Sequence, residues 1–305
     1  MYQIVYAIFY LFSLLPLIIL YGIADIAYVV LYHLLGYRKN IVLNNLEHAF
    51  PELSQKERKK ICRQFYRNLT QTFVEALKML SMSARRFDRM YSLDLTAVNE
   101  LVKHGKRIQV HSGHQMNWEL ANLAFAKNAT SPWVAIYLKQ NSAIMDRLLL
   151  TIRSRFGGTF ISAQGFQNDF KSISHTQYML ALIVDQTPTR PQRAYWLNFF
   201  NRPAPFNAQP EKSAMRNKAS VVFVNFIKVR RGKYRFEPVV ITDNAATLES
   251  GELTRRYRDF LEHSIRRQPA NYLWSHRRWK SKYHSSYSRK WIDVEIPPPA
   301  DIHQA

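Results

Sequence analysis

The stretch His111-Ser112-Gly113-His114-Gln115-Met116-Asn117-Trp118-Glu119 sets an imidazole five positions ahead of a carboxyl. Imidazole exchanges a proton near neutral pH, which suits it to general-base work. A carboxyl that accepts a hydrogen bond from one ring nitrogen fixes the tautomer and steadies the imidazolium formed when the other nitrogen takes a proton. Inside a regular helix a spacing of five does not bring two side chains to one face. It does so if His114 stands in a turn and Glu119 in the first turn of the helix that follows. His114 is then the expected general base and Glu119 its expected partner, with a substrate hydroxyl as nucleophile, so that a thioester is attacked directly without an acyl-enzyme. The spacing alone fits equally well a histidine that caps a helix or satisfies a turn. His111, His114 and Glu119 as a zinc set fit less well, because helical zinc motifs use tighter spacings. The expectation is no metal and no cofactor.

Positioning such a pair requires a strand that ends at the turn and a helix that leaves it. KRIQVHSG reads as a short buried strand meeting a turn, and NWELANLAFAK as the following helix. WVAIYLK is a second strand, and NSAIMDRLLLTIRSRF is a helix starting at Asn141 or Ser142 and ended by Gly157 and Gly158. TFISA and YMLALIVDQ read as further strands. Two more, joined by a basic turn at Arg230 to Lys233, lie within KASVVFVNFIKVRRGKYRFEPVVI. LESGELTRRYRDFLEHSIRRQP is a final amphipathic helix. Strand–helix alternation predicts an α/β fold, an αβα sandwich with a mostly parallel central sheet. Ligand sites in such sheets lie beyond the carboxyl ends of the strands, and those ends carry HSGH, DQ and the residues after NFI. Upstream, residues 37 to 50 read as a helix with Ile41, Leu43, Leu46 and Phe50 inward. Ser54 with Glu57 has the spacing of a capping box, opening a second helix with Ile61, Phe65, Leu69, Phe73 and Leu77 on one face.

The chain has 305 residues and a formal net charge of +21, which favours anionic partners such as phosphate-bearing substrates, nucleic acid or an anionic membrane surface. Cys62 is the sole cysteine, so neither an intramolecular disulfide nor a cysteine zinc cage can form. No charged side chain occurs from Met1 to Ala24, a run long enough for the ~20 residues a spanning helix needs. The run lacks a basic leader and a small-residue cleavage site and continues as IAYVVLYHLLGY, so residues 1–36 read as a retained N-terminal membrane helix. Pro16 and Asp25 weaken a clean span and leave open a segment lying partly in one leaflet. Arg38 and Lys39 follow, which predicts a cytoplasmic catalytic part. The expected division is an anchor over 1–36, a main domain over 37–295 and a flexible proline-rich tail over 296–305.

GHQMNWE resembles the H-x4-D/E signature of glycerolipid and lipid A acyltransferases. Within that superfamily it is similar to the GHxGNWE form of the lipid A biosynthesis late acyltransferases (the lauroyl/myristoyl family). Four further blocks resemble that family in order along the chain: NIVLNNLEHAFPELSQKERKKICRQFYRN, VDQTPTRPQ, FFNRPAPFNAQPEKSA and YLWSHRRWK. The resemblance implies an αβα sandwich on a membrane helix at the cytoplasmic face of a bacterial inner membrane. It also implies an acyl thioester donor, usually on acyl carrier protein, and as acceptor a hydroxyl of a lipid A precursor. His114 carries over as base and Glu119 as its partner. Asn117 carries over as a residue that orders the turn or touches substrate, and Asp185 and Gln186 as a supporting acidic block. The chain differs from the family form at Met116, where glycine is usual, and at Ala208 and Gln209, where threonine-glycine is usual.

Arg190, Arg193, Arg202, Lys212, Arg277 and Arg278 lie in or near these blocks, and arginine suits phosphate. The expected substrate-binding set is Asn117, Asp185, Gln186, Arg190, Lys212, Arg277 and Arg278, with Trp274 and Trp279 framing the last two. An acidic acyl carrier protein would also meet a basic face. Two rival readings stand beside this one. The same chemistry could serve another acceptor, such as an aminoacyl lipid or glycerolipid. A membrane-tethered nucleic-acid binder would use interleaved basic and aromatic residues, but the aromatics fall at strand and helix periods and no nucleic-acid motif is present, so no nucleic acid is expected.

Overall fold

The computed structural model describes residues 1–294, 296 and 297. Beyond its first two residues the expected tail lies outside them. The apolar N-terminal run forms two helices, α1 (Tyr2–Leu14) and α2 (Leu17–Val29), the latter continued by a π-helical turn over Val30–Leu34. The break falls at Leu15 and Pro16, where proline has no N–H to give to the preceding turn. Together Leu17–Leu34 are long and apolar enough to cross a membrane, by length and composition. Next come α3 (Lys39–Ala49) and the long α4 (Gln55–Lys78). The predicted capping box opens α4: Ser54 Oγ accepts from the Glu57 N–H at 3.3 Å, and the Glu57 carboxylate accepts from the Ser54 N–H at 2.8 Å. In α3, Val42 takes the deeply buried place expected of Ile41.

The larger part of the chain follows as α5 (Ala84–Asp88), β1 (Tyr91–Leu93), α6 (Thr96–Lys103), β2 (Ile108–Ser112), α7 (Trp118–Asn128), β3 (Trp133–Tyr137), α8 (Ala143–Arg153), β4 (Thr159–Ser162), α9 (Phe166–Asp169) and β5 (Met179–Ile183). The chain closes with β6 (Tyr195–Phe199), β7 (Arg202–Phe206), α10 (Gln209–Arg216), β8 (Ser220–Arg230), β9 (Lys233–Thr242) and α11 (Glu252–Arg267). Seven strands form one sheet in the order β1-β9-β8-β2-β5-β3-β4, and β6 and β7 form a separate antiparallel pair. All neighbours in the large sheet are parallel except β8 with β9, which are joined by the basic turn. This is the predicted α/β sandwich with its mostly parallel sheet.

Alternation along β8 divides the core. Val221 and Phe223 face α11, where Leu253, Tyr257, Leu261 and Ile265 are buried, together with α3 and α4. Val222, Val224 and Phe226 face the other layer, built from Leu120, Ala124 and Phe125 of α7 and Leu148 and Ile152 of α8. A large side chain so buried contributes about 1.5–3 kcal/mol relative to exposure. Every residue of β2 is buried, as expected of a central parallel strand covered on both faces. Cys62 is buried in the α3/α4 layer, where burial pushes its thiol up to about 11, an inert structural residue.

Candidate active site

Strands β2 and β5 pair in parallel with Ser112 beside Ile183. Two residues past each strand stand His114 and Asp185, so the register alone delivers the two side chains to one place at the carboxyl edge of the sheet. Their contact is double. His114 Nδ1 lies 2.7 Å from Asp185 Oδ1, and the His114 backbone N–H donates to Asp185 Oδ2 at 2.9 Å. The aspartate is 1% exposed and the imidazole 20% exposed, so a buried anion holds a ring that solvent or substrate can reach. Burial pushes the Asp185 carboxyl up. The His114 charge and the hydrogen bonds from its ring and backbone outweigh that and hold it below the usual carboxylate range. With Nδ1–H given to Asp185, the other ring nitrogen is the basic one, and the Gln186 amide lies 3.3 Å from it.

The turn that carries His114 is gripped along its length. A Cβ on Gly113 would stand 2.8 Å from a Leu261 methyl and 3.6 Å from Asp185 Cβ, so a larger residue there needs the Leu261 side chain to move. Leu273 N–H donates to the His114 carbonyl at 3.0 Å, and Met116 exchanges two 2.9 Å bonds with Asn271. Trp118 packs edge-on against the imidazole with ring centroids 5.8 Å apart. Asn117 is fully buried. Its Oδ1 caps α7 by accepting from Leu120 N–H at 3.1 Å, and its amide donates to Glu75 at 3.0 Å. It therefore orders the turn.

Glu119 is where the structure corrects the sequence reading. It sits in the first turn of α7 as expected, but shares no hydrogen bond with His114 among the described residues. Its two oxygens accept from Arg153 at the end of α8, with Nε at 2.8 Å, and from the Trp118 indole at 3.1 Å. Burial opposes the Arg153 charge, but the bonds to Glu119 outweigh it and raise the guanidinium further. The helix start aims residue 119 towards α8, while the turn before it aims residue 114 back over the sheet towards β5. Trp118 touches both groups and lies between them. His111, which a zinc reading needs, is buried in β2, stacked on Phe223 and bonded to the Gln109 amide at 2.9 Å.

The structure brings Gln186 and the 276–278 segment to His114 and Asp185. Thr187 N–H donates to His276 Nε2 at 3.1 Å, and its hydroxyl donates to the Arg278 carbonyl at 2.7 Å. Burial holds His276 neutral, with its pKa lowered to about 4. Arg277 is exposed beside this segment. Arg278 is 1% exposed, its guanidinium lying over the Phe206 and Phe199 rings at 4.3 and 5.0 Å. Its neighbour's side chain points to solvent, whereas its own is buried. Arg190 and Lys212 are exposed, the latter over the Tyr195 ring at 5.8 Å, and neither touches His114. Sequence reasoning missed Arg153 and His276, which no local spacing ties to His114. A family model described as bacterial lipid A biosynthesis acyltransferase matches residues 1–281. No curated protein matches the chain.

Proposed function

The chain belongs to the bacterial lipid A biosynthesis acyltransferases, and from that premise we propose that it moves a fatty acyl chain from the thioester of acyl carrier protein to a hydroxyl of a lipid A precursor, with His114 as general base and Asp185 as the group that orients it. The acceptor hydroxyl takes the place of the Gln186 amide at the free ring nitrogen and gives up its proton there. Its oxygen attacks the thioester carbonyl carbon, the carbon–sulfur bond breaks, and the imidazolium returns the proton to the departing thiolate. Asp185 stabilises the imidazolium between these steps without itself taking the proton. Glu119 and Arg153 form an ion pair beside the ring, in contact with it through Trp118.

The observation that carries this reading is the 2.7 Å contact of a partly exposed imidazole with a buried aspartate at the ends of adjacent parallel strands. Exposed Arg190, Arg193 and Arg277, with the net charge of +21, support an acidic donor protein and a phosphorylated glycolipid acceptor. The apolar outer faces of α1 and α2, followed by Arg38 and Lys39, support a site at the cytoplasmic face of the inner membrane. His114→Ala, assayed for transfer from acyl carrier protein to a lipid A precursor, is expected to lower kcat by about 10³-fold or more. Wild-type turnover in that variant removes the proposed base.

A further inference from the structure

Glu75 lies on α4 and is completely buried, yet no step above uses it. Its carboxylate accepts from three elements that are remote in sequence. Tyr21 Oη of the anchor helix α2 donates to Oε1 at 2.9 Å. Asn117 Nδ2 of the catalytic turn donates to Oε2 at 3.0 Å, and Tyr234 Oη of β9 donates to the same oxygen at 2.6 Å. Buried acceptors of this kind are costly to leave without donors, so each of the three groups depends on the others. The same face of α2 is tied at a second point, where Arg231 bonds Asp25 at 2.8 Å and lies over the Tyr21 ring at 5.1 Å. The catalytic turn has a second tie to α4 as well: Asn68 donates to the Ala270 carbonyl at 2.9 Å, next to the Asn271 that holds Met116.

We infer that Glu75 is a positioning residue for the catalytic turn, and that it makes the seating of the anchor helix a condition of that positioning through Tyr21. Asn117 uses one side-chain atom to start α7 and the other to hold Glu75. A shift of Glu75 therefore reaches the cap of α7, and with it the approach of His114 and Trp118. When α2 is seated on α4, Tyr21 occupies Oε1 and leaves Oε2 facing Asn117 and Tyr234. When α2 is displaced, the carboxylate loses the donor that orients it. The inference rests on the acyl-transfer reading for its kinetic arm only.

Tyr21→Phe removes one hydroxyl and nothing else, in full-length protein in detergent or lipid. The expected result is a fall in kcat of about tenfold with KM for donor and acceptor within about twofold, since a misplaced catalytic group loses turnover before binding. Hydrogen exchange at the Leu120 and Ala121 amides, which the Asn117 cap and its carbonyl protect, is expected to speed up in the same variant. A purely structural Tyr21 lowers the melting temperature and leaves both readouts unchanged in the folded protein, and that outcome overturns the inference. If the wild-type protein transfers no acyl group, the functional reading fails, and the exchange measurement still decides the role of Glu75.

Discussion

The His114 imidazole is held at two points by one carboxylate, through its ring and through its own backbone N–H. That double hold fixes both the ring and the peptide that carries it, which a single side-chain bond from a neighbouring helix does not do. Burial elsewhere in the site has a measurable consequence for stability. His111 and His276 are held neutral by burial, their pKa values lowered to about 3 and about 4 from 6.5. As pH falls below 6.5 the unfolded chain binds protons that the folded chain refuses, so stability drops until the folded values are reached. Asp185 acts with the same sign at lower pH: its depressed carboxyl stabilises the fold above the unfolded pKa, and that contribution is lost as pH falls through the folded one. The melting temperature is therefore expected to decline from about pH 7 to about pH 5, and His111→Gln to decline less steeply over that interval. Identical slopes for the two proteins in thermal scans contradict this assignment.

At the scale of elements, the two N-terminal helices lie along the domain and do not stand away from it. Tyr2 Oη meets Thr151 Oγ1 of α8 at 3.0 Å, Arg147 covers the Tyr2 ring at 4.1 Å, and Lys78 donates to the Ser13 and Leu15 carbonyls at 2.6 and 2.9 Å. Their other faces present Ile4, Ile8, Leu11, Ile18 and Ile26 to the outside. Tyr2 touches α8, so on the proposed membrane location the amino terminus is expected on the same side of the bilayer as the catalytic half, with the apolar face sunk into one leaflet. Gln3→Cys tests this, since Gln3 is exposed and the native Cys62 is buried. In spheroplasts an impermeant maleimide is expected to label the introduced thiol only after lysis; labelling before lysis means that α1 reaches the far side. Most elements were legible in the sequence because each carries its own signal, such as the Ser142 cap of α8, whose hydroxyl accepts from Met145 N–H at 3.4 Å, and the capping box of α4; α8 itself ends at Arg153, before the expected stop at Gly157 and Gly158, whose φ values are both 96°. The β6–β7 pair was not, because Pro203 and Pro205 argue against a strand, and only a two-stranded sheet paired with Asn198 and Trp196 accommodates them. The three-residue β1 is too short to show a period.

Across the whole molecule, the site is a product of topology. His114 was legible because a histidine in a strand-to-helix turn is a local pattern. Asp185 was expected at a strand end and in a supporting role, but its direct hold on His114 was not legible, because it lies 71 residues away and is brought in by the β2–β5 register. Glu119, expected against the ring because it is near in sequence, instead bonds Arg153 and Trp118. The chain leaves β2 towards β3 on one side and returns to β8 on the other, so β2 stands where the direction of winding changes, the usual place for a ligand in such sheets. The central claim, that the register-built pair of His114 and Asp185 performs the transfer, is tested most directly by the kcat of Asp185→Asn at saturating donor and acceptor. The amide keeps the shape and loses the charge that steadies the imidazolium, so a fall of about 10³-fold or more is predicted, in line with triads that lose their acid. Turnover within about twofold of wild type contradicts the claim and returns the role of orienting His114 to another group.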